Sequence, residues 1–559
     1  MNRHLHSILF CTVLFTITVI FLTSGLWGVG PNENQHDEST ISLFENMGKH
    51  GRKITTTSPK TQSLFNQGLT WAYGFNHDEA IRSFLQAAKH DPKCAMTWWA
   101  IAYCEGPNYN SPITPERSKS AWYALQNAKA RAMNTSDKEK GLIEALATRY
   151  AMPAPEDRAE LDKAYCLAMQ SLWERHPDDA DIGTLYAESL MMLRPWKLYT
   201  IQGTPEPDTD KIVETLEAVR KIQPDHPGAN HLYVHAMEPS LTPHLALEAA
   251  NALDDLVPAS GHLLHMPSHI YVRTGFWDKA VEQNRKAIEA DDAYLAISPD
   301  QGMQLVYMIH NSHMMAYAAM MCGREQVAMK AARRMWTQTP EPLLIKFGPF
   351  LDRWMCSVYD VQKRFGRWDD ILNEPAPPKV LPITTTIWRA HRAIAYAAKH
   401  DFPNAQKEYT AFRQSREAIP PEAMAAAEMD GRFLQVSDLF IRGEIALQQK
   451  NWKKAIEHLQ EAAEIESTLD YGEPPQWLQP IRHTLGAVYI ASGNFKQAEM
   501  CYREDLEKWP ANGWSLYGLG LALEKQGKRK ESQKFQNQFK QVWSKAEEPI
   551  DSSCKCLIN

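Results

Sequence analysis

The chain lacks most of the patterns that announce a familiar chemistry. It has no P-loop and no Gly-x-Gly-x-x-Gly stretch, so no glycine-rich turn is available to cradle phosphates. It also shows no serine–histidine–aspartate order that would specify acyl transfer. Cysteine is sparse, with nine in 559 residues and no C-x-x-C pair. That excludes a zinc knuckle and a dense disulfide framework, leaving room only for an isolated bridge. No basic run is interleaved with aromatics, and the formal net charge is -7. No nucleic-acid partner is therefore expected. Runs that alternate apolar and polar residues are few, which argues against half-buried strands.

What the chain does have begins with an apolar leader. After Arg3, residues 7–30 carry no charge until Glu33. That length suits a bilayer span or a signal peptide. The apolar stretch is long for a signal core and no A-x-A site follows, so residues 1–30 read as a signal-anchor in preference to a cleaved signal peptide. The positive charge precedes the apolar run, which places the body outside the cytoplasm, membrane-anchored or secreted. Residues 31–58 are polar and read as a linker. The terminal "CLIN" has the outline of a prenylation box, but Asn559 is an unusual last residue and the cytosolic chemistry conflicts with the leader. Asn134-Thr135-Ser136 is a glycosylation sequon.

From residue 59 onward apolar residues recur at helical spacing. Helix-length segments are punctuated by similar turns: "GFNHDEA", "GFWDKA", "KNWKKA" and "GNFKQA". Each holds Gly or Asn, then an aromatic, then an alanine. These residues resemble the tetratricopeptide repeat, a pair of antiparallel helices about 34 residues long. A frame begun at Thr61 finds Gly68, Trp71, Ala80, Phe84, Ala87 and Pro92 where that pattern wants them. Frames begun at Gln479, Val436, Thr386 and Gly513 match in part; Asp505 and Ser532 stand where an alanine is usual. The resemblance implies an all-α superhelix, with an N-terminal array over residues 59–342 and a C-terminal array over 386–545. Residues 343–385, which contain "EPAPPKVLPITTT", read as a connecting segment, and 546–559 as a tail.

The same frame gives a meaning to the histidines. Nine of the 20 lie between His226 and His313. Frames begun at Pro227, Gly261 and Ile309 are fixed by alanines and prolines, not by histidines. They place His231, His235 and Glu238, then His262, His265 and His269, then His310 and His313 on first-helix positions. In the resembled family those positions line the concave groove. Spacing agrees independently, because residues three, four and seven apart share a helix face. First helices of stacked repeats pack about 10 Å apart, so imidazoles on neighbours can meet. His226 and His244 miss the groove. Pro267 interrupts the central first helix and is expected to kink it.

Neutral imidazole is a common transition-metal ligand, and a set rich in histidine and poor in carboxylate suits copper or zinc. Seven histidines and Glu238 exceed one tetrahedral shell, so one or two ions are expected, with surplus histidines supporting the ligands. If the protein is an enzyme, Glu238 is either a metal ligand or the general base, and Arg273 and Tyr271 join it as catalytic candidates, with Asn284 nearby. Copper would imply oxidation with dioxygen, and zinc hydrolysis. A small molecule or a peptide would be the substrate in the groove. The alternative is of a different class: a non-catalytic scaffold that binds a protein or peptide partner. Basic and amide groove residues would suit that better than bare imidazoles, but the C-terminal array could serve it. A metal storage or delivery protein lies between the two. "GPNYN" at 106–110, and Asn76 with His77, read as capped turns. "YGEPPQWLQPIR", holding Glu473, Trp477 and Arg482, reads as a repeat cap or as a closure against the N-terminal array.

Overall fold

A computed structural model describes residues 43–557, apart from 300, 428 and 430. The leader lies outside the described residues. Among these residues no helix is long and apolar enough to cross a membrane. The described chain is all α. Its only β pairings are the isolated bridges Asn108–Ser111 and Tyr199–Pro205.

The helices follow each other as antiparallel pairs, and local chemistry sets their ends. Ser58 accepts from Thr61 N at the head of Pro59–Tyr73, with Pro59 in the first turn, where its missing N–H costs nothing. Asn76 caps His77–His90 by accepting from Glu79 N. The turn between the two helices has one recurring demand, a left-handed residue. Gly275, Gly323, Gly493 and Gly527 fill it, as do Phe75, His400 and Lys450. Each of these seven stands fifteenth in its repeat as framed from the sequence, so the period and the backbone agree. Glycine meets this demand without steric cost, and the three non-glycine residues meet it at some strain.

Residues 343–385 differ from the expected connecting segment. Helices Glu341–Leu351, Ser357–Arg364 and Trp368–Asn373 occupy most of it, and Pro382–Ala398 begins within it. Gly366, at φ +70°, is the left-handed residue of this shortened pair. Of the prolines in "EPAPPKVLPITTT", Pro382 lies in a first turn, while Pro375, Pro377 and Pro378 fall in the irregular run before it. Only Pro349 is inside a helix. At Pro267 the helix divides into Gly261–His265 and Pro267–Thr274, yet Met266 between them stays helical at φ -51° and ψ -38°. The expected kink is a break in hydrogen bonding without a change of backbone region.

Residues 43–58 form a strap with no regular structure, pinned by side chains. Arg52 pairs with Asp179 at 2.7 Å and with Asp181 at 3.1 Å. Thr55 N donates to Glu139 at 2.7 Å. Further along, the C-terminal repeats return onto the N-terminal ones. Trp277 Nε1 donates to Pro510 O, and Trp514 Nε1 to Met320 O. Arg353 donates to Gln476 O. The C-terminal repeats thus pack back against the N-terminal ones. A Cβ at Gly275 would lie 2.7 Å from Pro510 O, so this approach depends on a residue without one. The tail folds back as well: Gln448 donates to Cys556 O at 2.6 Å, and Cys554 is bonded to Cys556.

Candidate metal centre

Helix Pro227–Met237, the divided helix Gly261–Thr274 and helix Gln304–Met321 run side by side and turn their histidines inward. Six side chains converge. His231, His235 and His262 form one triad, and His265, His269 and His310 form another. Within each triad one ligand atom per residue lies within 4.8 Å of the others. All six are buried. The triads adjoin: the rings of His262 and His265 are 6.0 Å apart, and those of His235 and His269 are 5.8 Å apart.

The backs of the rings are held. His231 Nδ1 donates to Tyr73 O at 2.6 Å. His235 Nδ1 donates to Glu238 Oε1 at 2.8 Å. His265 Nδ1 donates to Asn284 Oδ1 at 2.6 Å; the Asn284 amide itself donates to Ala280 O, which fixes its orientation. His269 Nδ1 faces Glu238 Oε2 at 2.7 Å and also Glu473. With Nδ1 carrying the hydrogen, Nε2 is the atom left to bind. The Nε2 atoms of His265 and His269 are 2.5 Å apart, and those of His231 and His262 are 3.1 Å apart. His235 Nε2 is buried without a partner. Outer partners that orient a ligating imidazole are the usual company of a metal-bound histidine.

Protonation follows from burial. Desolvation, then neighbouring imidazoles, holds His231, His262, His265 and His310 well below the ordinary histidine range, so they are neutral near pH 7. Burial also lowers His235, against the pull of Glu238. His269 goes the other way. Burial opposes its charge, but Glu473 and Glu238 outweigh it and raise the group to about 10. A proton on its Nε2 accounts for the short approach to His265 Nε2. Burial pushes Glu238 up; His269 and the hydrogen bonds from Glu473, His235 and His269 pull it well below the carboxylate range. Glu473 is raised well above that range, by burial and then by the charge of Glu238. The pair therefore carries one negative charge and one proton. Tyr471 completes it, donating to Glu238 Oε2 at 3.0 Å.

Two expected residues are placed elsewhere. Tyr271 points between helices and donates to Asn251 at 2.8 Å, so it packs the repeat and does not face the histidines. Its position in the frame is one that the repeat uses for close packing. His313 shares the inner stripe but joins neither triad; its ring stacks on Trp354 at 5.2 Å. Arg273 is on the inner side: it donates to Ser240 O at 3.1 Å, with Tyr471 at 6.0 Å.

Aromatic rings that carried no signal in the sequence surround the triads. Phe75 lies 4.4 Å from the His231 ring, turned there by its left-handed backbone at φ +57°. Tyr307 lies 4.6 Å from His262. At the rim Trp196, 41 % exposed, stacks on Tyr109 at 5.1 Å, and both rings lie 5.5 Å from His235. The "GPNYN" turn thus carries Tyr109 inward, a role its polar neighbours concealed. Asn76 caps as expected.

No family profile and no curated protein matches this chain. Among solved structures it is similar to a human IFIT1 dimer with m7Gppp-AAAA, at a TM-score of 0.31 and 14% identity over 89% of this chain and 92% of that one. A human IFIT1 dimer with PPP-AAAA gives 0.29 and 14%, over 87% and 91%.

Proposed function

We propose that this helical-repeat protein holds one or two copper or zinc ions on the His231–His235–His262 and His265–His269–His310 triads. One observation carries the reading: two adjoining sets of buried imidazoles turn Nε2 inward while fixed acceptors hold four of the six Nδ1 atoms. Five of the six are desolvated and held neutral, the form that binds a metal, while His269 carries a proton that an ion would have to displace. Copper or zinc fits an all-imidazole donor set, and the extracytoplasmic location expected from the leader removes competing cytosolic thiols.

If the centre is catalytic, a bound ion would supply Lewis acidity or redox chemistry. The chain's own groups have distinct parts. Glu238 orients His235 and His269 at once and keeps a negative charge beside them. Glu473 holds a proton next to it, and Tyr471 fixes the carboxylate. The interior walls exclude water, with the Trp196–Tyr109 stack at the rim. Copper with this environment suits oxidation of a small organic molecule by dioxygen, and zinc suits hydrolysis. Elemental analysis of the purified full chain tests the reading. About one or two equivalents of copper or zinc are expected, and less than about a tenth of an equivalent after reconstitution would sink it.

A scaffold reading has its own support at the C-terminal array. There the chain's tail lies as a peptide ligand would, with Ser553 donating to His483 O at 2.8 Å and meeting the Tyr502 hydroxyl at 2.6 Å. A partner with a similar extended segment would compete for these contacts. Capture of such a peptide by protein that takes up no metal would favour this second reading.

A further inference from the structure

The two inner stripes do not end with the histidines. One turn beyond His269 the first stripe continues to Arg273, and one turn beyond His313 the other continues to Tyr317. Both side chains meet the same ring: Arg273 lies 5.8 Å from the centre of Trp509, and Tyr317 packs edge-on against it at 5.8 Å. The opposing wall supplies Arg364, whose guanidinium lies 3.7 Å over the Trp514 ring.

The polar atoms of these three residues are under-used. Tyr317 is fully buried and its hydroxyl has no partner. Arg364 is 1 % exposed, and only Nη2 is engaged, donating to His483 Nδ1 at 2.8 Å. Its Nε and Nη1 are buried and unpartnered, as is Arg273 Nε. An arginine cannot shed its charge to escape burial. A desolvated guanidinium without a counter-charge costs several kcal/mol, roughly. Among the described residues no carboxylate lies within ion-pair distance of Arg364. Asp505 is the nearest candidate, but its Oδ2 already accepts from His483 at 2.9 Å, Asn512 at 2.8 Å and Ser515 at 2.6 Å. Glu466 is pushed up to about 7, chiefly by burial, so it is a weak counter-ion.

We propose that Arg364, Arg273 and Tyr317 form a site for the oxyanion group of a small molecule, a carboxylate or a phosphate. Tyr317 lies within electrostatic reach of both Arg273 and Arg364, so an anion at its hydroxyl would take up free phenol and guanidinium hydrogens and neutralise the buried charge. The site adjoins the histidines through Arg273 and Tyr471. If the centre proposed above is catalytic, the substrate is therefore an organic acid or a phosphate ester anchored by its anionic end; that extension rests on the metal reading, whereas the anion site does not.

The test uses metal-free full-length protein, titrated separately with inorganic phosphate and with succinate, and read by calorimetry and by tryptophan emission from the flanking Trp509 and Trp514. Saturable binding of about one equivalent of either anion is expected, with chloride as the blank. Tyr317→Phe keeps the ring packing and should weaken binding about tenfold, the loss of one hydrogen bond to a charged group; Arg273→Gln should weaken it further. The tighter of the two anions identifies the source. No saturable binding by either anion to metal-free and metal-loaded protein overturns the proposal, as does binding unchanged in both folded variants. Anion binding by protein that never takes up metal would uphold this site while defeating the metal centre.

Discussion

His265 of one helix donates Nδ1–H to Asn284 of the next at 2.6 Å, across the two helices of a single repeat. Asn284 stands where the repeat pattern has an aromatic, so a packing position has been given over to orienting His265. Asn284→Leu keeps the volume and removes the acceptor. Metal affinity is expected to fall by roughly 10–100-fold while the fold is retained. A competitive chelator titration measures this, and an unchanged affinity would show that Asn284 only packs.

His313 separates the stripe from the triads. His235→Ala and His265→Ala should each lower metal stoichiometry, because each empties one triad. His313→Ala should leave stoichiometry intact, since its ring meets Trp354 and joins neither set. Loss of metal in His313→Ala alone would mean that the ligands are assigned wrongly.

The histidines also predict a pH profile for the metal-free protein. An unfolded histidine titrates near 6.5, roughly. Burial holds His231, His262, His265, His310 and His313 well below their ordinary value when folded. Their contribution is therefore present above about pH 6.5 and is lost as pH falls through the folded values. For His269 burial is outweighed by Glu473 and Glu238, and its folded value is about 10. That contribution is full below about pH 6.5 and is lost as pH rises through 10. The raised Glu473 carboxyl acts in the same sense, its contribution being full below the ordinary carboxylate range and lost as pH rises through its folded value. Denaturant titrations should thus show steep acid destabilisation below about pH 6.5 and a separate alkaline decline. Glu473→Gln should flatten the alkaline limb and spare the acid one. An alkaline limb unmoved by that substitution would contradict the coupling.

Gly261 opens the helix that carries His262 and His265. A Cβ there would sit 2.0 Å from Asp291 Oδ1 and 2.9 Å from the Ala287 carbonyl. Asp291 is buried and pushed up to about 7 by desolvation, with Asn311 donating to it at 2.7 Å. Gly261→Ala must separate the two helices, at a cost of about 1–3 kcal/mol. Thermal unfolding checks the loss, and equal stability would mean that Asp291 can swing away freely.

The helix pairs and their inner faces were readable because the repeat constrains small residues at fixed intervals. The frame set by Ala280, Ala287 and their counterparts carried His231, His235, His262, His265, His269 and His310 to a common interior. Tyr271 was misread because close packing between two helices and lining a groove both ask for a large side chain. Residues 343–385 looked like a break because Pro375, Pro377 and Pro378 form an irregular run and the helices just before it are too short to show a period. Tyr73 was invisible for another reason: it holds His231 with its backbone carbonyl, which every residue has. Glu473 was noticed within its segment, but its meeting with His269 depends on how the superhelix closes, which no local pattern records.

That meeting spans 204 residues of chain. During synthesis His269 leaves the ribosome well before Glu473 and Tyr471 exist. Until they arrive, the histidines lack the carboxylic acid and the phenol that set the charge of Glu238 and His269. A polypeptide stopped short of residue 471 would therefore present the same six imidazoles with a different proton inventory and a weaker hold on their orientation. The histidine cluster thus gains its full hydrogen-bonded surround only once residues 471–473 have been made and the superhelix has brought them back.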